Sequence, residues 1–272
     1  MKKGKRGAGD VLRNASAAVC AAVLVMSGSG LLKTLSAYRA GADSYELLRE
    51  SVAVSAAGAE TGRAPNCEDP AAEPAAPDTP GGPEAPEPID FNALKAINGD
   101  AAAWLRCPGT GIDYPVVQGE NNSHYLRRLI TGEYNAAGTL FIDCRNRPFT
   151  DRNTVIYGHN MRDKSMFWTL LQYKKQAFYD EHPVMRISTP EREYAVQIFA
   201  GFTAGTDTDA WKLEFGDDGE FAAWLLRERG RSVFLSGVQV SAADKVVTLS
   251  TCCYDFPGAR FVVVGRLTEN FS

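Results

Sequence analysis

Residues 246–267, VVTLSTCCYDFPGARFVVVGRL, constrain this chain more than any other stretch. Two runs rich in Val, Leu, Thr and Phe predict strands over 245–252 and 260–267, because branched and aromatic side chains suit a pleated surface. Tyr254-Asp-Phe-Pro-Gly258 between them carries the Pro-Gly punctuation of a tight turn. Cys252 therefore ends the first strand and Arg260 begins the second, with seven residues between them. Two such side chains can face one cleft. A thiol nucleophile beside a fixed cation is the start of a catalytic site that lacks only a base.

The chain offers three histidines, His124, His159 and His182. His159 follows a short apolar strand predicted over 154–157 and sits at a Gly turn in TVIYGHNM. Loop-mounted polar residues at strand ends are where function concentrates. His182 precedes Pro183 and His124 lies in a polar run, so both read as surface residues. TLSTC followed eight positions later by Arg, with YGHNM upstream, resembles the sortases, class B in particular. The resemblance extends through IDYPVVQG (112–119), GTLFIDCRN (138–146) and YGHNMRDKSMF (157–167), and spans roughly 89–267.

Free cysteine is among the most buried residue types, so composition alone would make Cys252 a packed thiol. The turn, the Arg and the resemblance together make it the nucleophile. Adjacent Cys253 must point the other way, because side chains alternate along a strand. The resemblance implies that His159 is general acid and then base, and that Arg260 holds the oxyanion or positions the scissile carbonyl. It further implies that Ser250, Tyr157, Asn122 and Leu126 line the substrate groove. Ser250 lies on the strand face of Cys252. Arg266 reads as a surface residue.

Along the chain, residues 1–13 carry Lys2, Lys3, Lys5, Arg6 and Arg13 against Asp10, a basic cytoplasmic tail. Residues 14–32 have no charge, and about twenty apolar residues span a bilayer core, so this run is expected to be a transmembrane signal anchor. The positive-inside rule then faces everything after it outward. A cleaved signal peptide with its site at Ala40-Gly41-Ala42 is the rival. Residues 33–54 have helical spacing and predict a stalk. Residues 55–88 hold eight of the fourteen prolines and predict a semi-rigid spacer. The catalytic domain is expected over 89–272. FNALKAINGDAAAWL predicts a helix that closes near Asn98-Gly99 and resumes before Trp104. Short strands are predicted over 113–118, 139–143, 184–188 and 193–203, and helical spacing over 166–173. A helix over 217–230, with Phe221, Trp224 and Leu225 on one face, precedes the Cys-bearing strand.

Many short strands and few helices predict a mainly β barrel or sandwich. The resemblance implies a closed, mostly antiparallel eight-stranded barrel with an N-terminal helix. A net charge of −4 gives no reason to invoke nucleic acid. Six scattered cysteines form neither a metal-ligand spacing nor a CxxC pair, and no cofactor or metal is expected. The resemblance implies a membrane-anchored cysteine transpeptidase whose partners are secreted proteins bearing a sorting signal of Asn-Pro-x-Thr-(Gly/Asn) type. Its acceptor would be an amine of peptidoglycan or of a lipid-linked precursor. A pilus-polymerising sortase, a secreted Cys–His peptidoglycan hydrolase and a non-catalytic surface module remain as rivals. The connection 203–230, long and carrying its own helix, is expected to wall the groove.

Overall fold

A computed structural model describes residues 8–53 and 88–269. Eight strands close into one barrel: β1 (Ala101–Arg106), β2 (Asp113–Val117), β3 (Leu140–Ile142), β4 (Asn153–Tyr157), β5 (Val184–Ser188), β6 (Glu193–Ala204), β7 (Lys245–Cys252) and β8 (Arg260–Thr268). Their order around the barrel is β1-β2-β3-β4-β7-β8-β6-β5, and β5 closes onto β1. The β2–β3 and β4–β7 pairs are parallel, and the rest are antiparallel. Helices α1 (Ala8–Val52), α2 (Phe91–Ile97), α3 (Gln176–Glu181) and α4 (Asp218–Arg231) attach to this frame.

Alternation along β7 and β8 sorts their side chains between two apolar clusters. Val247, Leu249, Phe261 and Val263 point into the barrel, whereas Val246, Val262 and Val264 point outward under α4. Phe221, Trp224 and Leu225 on α4 are buried against that outer face. Each such burial is worth roughly 1.5–3 kcal/mol. The Asp217 side chain caps α4 by accepting from the Glu220 N–H at 2.8 Å, so the helix starts where the sequence predicts. It runs one residue past Gly230, to Arg231. The 166–173 stretch is a 3-10 helix over Phe167–Lys174 rather than an α-helix.

Two expectations change. Residues 101–106 form strand β1, not a resumed helix. Alanine favours helix intrinsically, but β1 is flanked on both edges by β2 and β5, and that pairing overrides a weak local preference. Packing against the barrel also begins well before residue 89. Tyr45, Leu48 and Val52, on the segment expected to be a stalk, are buried in the barrel's main cluster. The Tyr45 hydroxyl donates to the Gly138 carbonyl, Arg49 Nε donates to the Asp113 carbonyl at 3.0 Å, and Asn135 Nδ2 donates to the Ala37 carbonyl at 2.9 Å. Ala53 bridges Ile89, so the chain leaves and re-enters the described structure at one point. The expected Pro-rich spacer lies, except for Pro88, outside the described residues. Among the described residues no helix is both long and apolar enough to cross a membrane. Val23, Leu24, Val25 and Met26 of α1 are nonetheless exposed.

Candidate active site

β7 and β8 pair in register from Lys245↔Leu267 to Cys252↔Arg260, so the thiol and the guanidinium face each other across the last rung of the hairpin. Cys252 follows the outward parity of Val246, while Cys253 is buried in the barrel cluster. Alternation thus separates the two thiols. Burial pushes the Cys253 thiol pKa upward, which disfavours its thiolate. Among the described residues no carboxylate pairs with Arg260. Its Nη1 donates to the Gly258 and Ala259 carbonyls at 3.3 and 3.2 Å, which tethers one edge of the fork.

β4 runs parallel to β7 with Tyr157 opposite Ser250, which carries the chain onward to His159 beside the end of β7. The joint is locked twice: the Gly158 N–H donates to the Ser250 carbonyl at 3.1 Å, and Thr251 Oγ1 donates to the Gly158 carbonyl at 2.8 Å. A Cβ on Gly158 would come within 2.4 Å of Leu140 and 2.6 Å of Phe167, so only glycine lets those side chains pack there. His159 Nε2 donates to the Leu126 carbonyl at 2.6 Å, and the His159 carbonyl accepts from the Phe167 N–H. Leu126 therefore orients the imidazole through its backbone, a role that no side-chain pattern could announce.

Cys252, His159, Arg260, Ser250, Tyr157, Asn122 and Leu126, all seven sequence candidates, line one cleft of about 300 Å³. Asn122 is turned by its own contact, with its Oδ1 accepting from the Cys144 N–H at 2.8 Å. Neighbouring Asn121 instead caps the turn at Ser123 and His124. His182 bonds the Pro108 carbonyl, and neither it nor His124 lines the cleft.

Three supporting residues were given no role by the sequence, although Asp143 and Arg145 lie within GTLFIDCRN. Trp211 Nε1 donates to Ser250 Oγ at 2.9 Å and so fixes the hydroxyl that faces the cleft. Asp143 is fully buried and accepts from the Tyr157 hydroxyl at 3.1 Å. Arg145 grips Asp143 with Nε at 2.9 Å and Nη2 at 2.8 Å. Burial opposes the charge on Asp143, but these donors outweigh it and hold its carboxyl below the ordinary range. Burial and the Asp143 charge push the Tyr157 pKa up, so its hydroxyl keeps its proton and donates inward.

A thiol, an oriented imidazole and a guanidinium thus share one cleft, the set of groups that cysteine acyl transfer requires. Residues 105–268 match the family model described as Sortase domain. Sortase B of Listeria monocytogenes is 38% identical over 181 residues, 65% of this chain and 74% of that protein. Sortase B of Staphylococcus aureus is 33% identical over 182 residues, 66% of this chain and 75% of that protein. The crystal structure of the S. aureus protein superposes with a TM-score of 0.64 at 33% identity, covering 67% of this chain and 88% of that one. A S. aureus sortase B–substrate complex superposes equally well, with a TM-score of 0.64 at 32% identity, covering 67% and 86%. The chain belongs to the sortase family, and its homologues and structural matches are class B. It is a cysteine transpeptidase with the eight-stranded barrel of that class.

Proposed function

We propose that this transpeptidase cleaves a sorting signal of Asn-Pro-x-Thr-(Gly/Asn) type after Thr and joins the Thr carbonyl to a peptidoglycan or lipid-linked precursor amine. The observation that carries this reading is the Cys252–Arg260 rung with His159 lining the same cleft. Cys252 Sγ attacks the Thr carbonyl carbon, and Arg260 stabilises the oxygen that becomes negative. Collapse of that intermediate breaks the C–N bond, and imidazolium His159 gives its proton to the leaving amine. The incoming amine then attacks the thioester, His159 takes its proton, and the thiolate departs. Because Nε2–H is engaged by the Leu126 carbonyl, Nδ1 is the ring nitrogen left for transfer. A sortase B has been crystallised in complex with triglycine, which supports a glycyl amine as acceptor.

The basic residues before 14, the uncharged run after them and the exposed Val23–Met26 turn support attachment to a membrane through α1. Fractionation of the full chain tests this: recovery in the soluble fraction after expression with an intact N-terminus would remove the anchor.

The central experiment incubates the full chain with a peptide carrying the signal plus triglycine, followed by mass spectrometry. A Thr–triglycine adduct is expected. Free acid alone would favour a hydrolase, and an adduct formed only with a lysine-bearing pilin peptide would favour polymerisation. Cys252→Ala should abolish turnover and Cys253→Ala should largely spare it. Arg260→Lys keeps the charge but not the fork, so a fall of about 10²–10³ in turnover is expected while thiol alkylation persists. Near-normal turnover of that variant would remove the oxyanion role.

A further inference from the structure

A second cleft, about 870 Å³, is linked to the thiol cleft by side-chain hydrogen bonds. Trp211 lines the second cleft and bonds Ser250, which lines the first. Arg145 lines the second and grips Asp143, which bonds Tyr157 in the first. Two hydrogen-bonded side-chain links thus connect them. The thiol cleft's own volume is at the low end for a ligand site, whereas the second is near the upper end.

One wall of the second cleft is the stretch 213–215. It lies in no strand or helix, and the backbone N–H and C=O groups of Leu213, Glu214 and Phe215 make no hydrogen bond among the described residues. The residue before it is pinned: Asn153 Nδ2 donates to the Lys212 carbonyl at 2.9 Å, and Asn153 Oδ1 accepts from Thr248 Oγ1 at 2.8 Å. A non-sheet stretch held at one end with unused main-chain donors and acceptors is a template for pairing with another extended chain. Arg145 and Arg147 also line this cleft. Their side chains are 66% and 82% exposed, while their partners Asp143 and Asp151 are 0% and 14% exposed. The positive ends project and the negative ends are covered, although the exposed Glu214 carboxylate also lines the cleft.

We propose that this cleft binds an extended polypeptide, the part of the substrate on the N-terminal side of the cleaved signal, by main-chain pairing with 213–215. This rests on the sorting-signal reading above and adds a second contact to it. The acyl portion must stay bound through both chemical steps while one amine leaves and another enters. The larger cleft, joined to the thiol cleft through Ser250, suits the portion that stays.

The test measures binding, not turnover. Fluorescent peptides are titrated by anisotropy against the full chain carrying Cys252→Ala. One peptide is Asn-Pro-Ala-Thr-Gly alone; one adds Ser-Glu-Ala-Glu-Ser-Ala before it; one adds the same six residues after it. The upstream extension should tighten binding about tenfold, the worth of one or two net hydrogen bonds. The downstream extension should add nothing. N-methylation of each extension residue in turn should cost affinity at alternate positions, since every second residue of a paired strand offers its N–H to the same neighbour. Arg147→Glu should reduce the gain and leave the bare peptide's affinity unchanged. Equal affinities for the bare and upstream peptides, or a gain from the downstream one alone, would overturn the proposal, as would indifference to every N-methyl group. If the gain holds but the wild-type chain turns over no peptide, the sorting-signal reading falls and the peptide cleft stands.

Discussion

Two carboxylates in this barrel are equally hidden from water and titrate in opposite directions. Asp143, beneath the thiol cleft, and Glu228, on α4, are both 0% exposed. Burial raises both. Asp143 nevertheless ends below its ordinary range, because Arg145 gives it a backbone N–H, Nε and Nη2, and Tyr157 adds its hydroxyl. Glu228 is pushed up to about 7: Oε1 accepts from Arg231 Nη1 at 2.7 Å, but Oε2 has no partner, and Arg231 is shared with Asp209. The number of donors aimed at the charged form, not the depth of burial, decides which way a hidden acid titrates.

Asp143→Asn should break the better-satisfied site at the largest cost, about 3 kcal/mol at pH 7 by urea unfolding, because charge-assisted bonds to Arg145 and Tyr157 weaken together. Its pH dependence has a definite sign. A folded pKa below the ordinary value gives stability that is present above that value and lost as pH falls through the folded one. The gap between wild type and variant should therefore shrink in acid. A gap independent of pH would mean that Asp143 contributes shape and not charge.

Glu228→Gln should move stability the other way. As pH rises from 4.5 to about 7, the unfolded chain gives up this proton before the folded one does, so the wild type loses stability across that window. The Gln variant has no such loss. The two should melt together near pH 4, with Gln ahead by about 3 kcal/mol at pH 8, the span from 4.5 to about 7 at about 1.4 kcal/mol per pH unit. A constant offset at both pH values would erase the contrast between the two acids.

Arg145→Lys sharpens the comparison from the donor side. Lysine keeps a charge near Asp143 but not the paired Nε and Nη2 contacts, and the side chain it replaces is largely exposed, so about 1 kcal/mol is expected. Tyr157→Phe removes one hydroxyl donor and should cost about 0.5–1 kcal/mol. A weaker peptide KM in that variant with an unchanged melting temperature would assign the hydroxyl to substrate and not to Asp143.

Strand parity explains much of what was legible beforehand. The hairpin of β7 and β8, the position of Cys252 opposite Arg260, and the separation of Cys252 from Cys253 all follow from period-two alternation and a Pro-Gly turn. His159 at the end of β4 was equally readable. Asp143 lay inside the GTLFIDCRN match, yet nothing local distinguished a buried carboxylate from an exposed one.

The amino-acid sequence by itself determined the elements whose information is local: the strands other than β1, the turn between β7 and β8, the helix α4, and the family. Tertiary structure alone decided the docking of Tyr45, Leu48 and Val52, the strand state of Ala101–Arg106, the Leu126 carbonyl on His159 and the Trp211–Ser250 bond. The last two join residues 33 and 39 positions apart, and one of them uses a backbone atom every residue possesses. Such contacts carry no composition or period to read, because they exist only once barrel closure brings distant segments together.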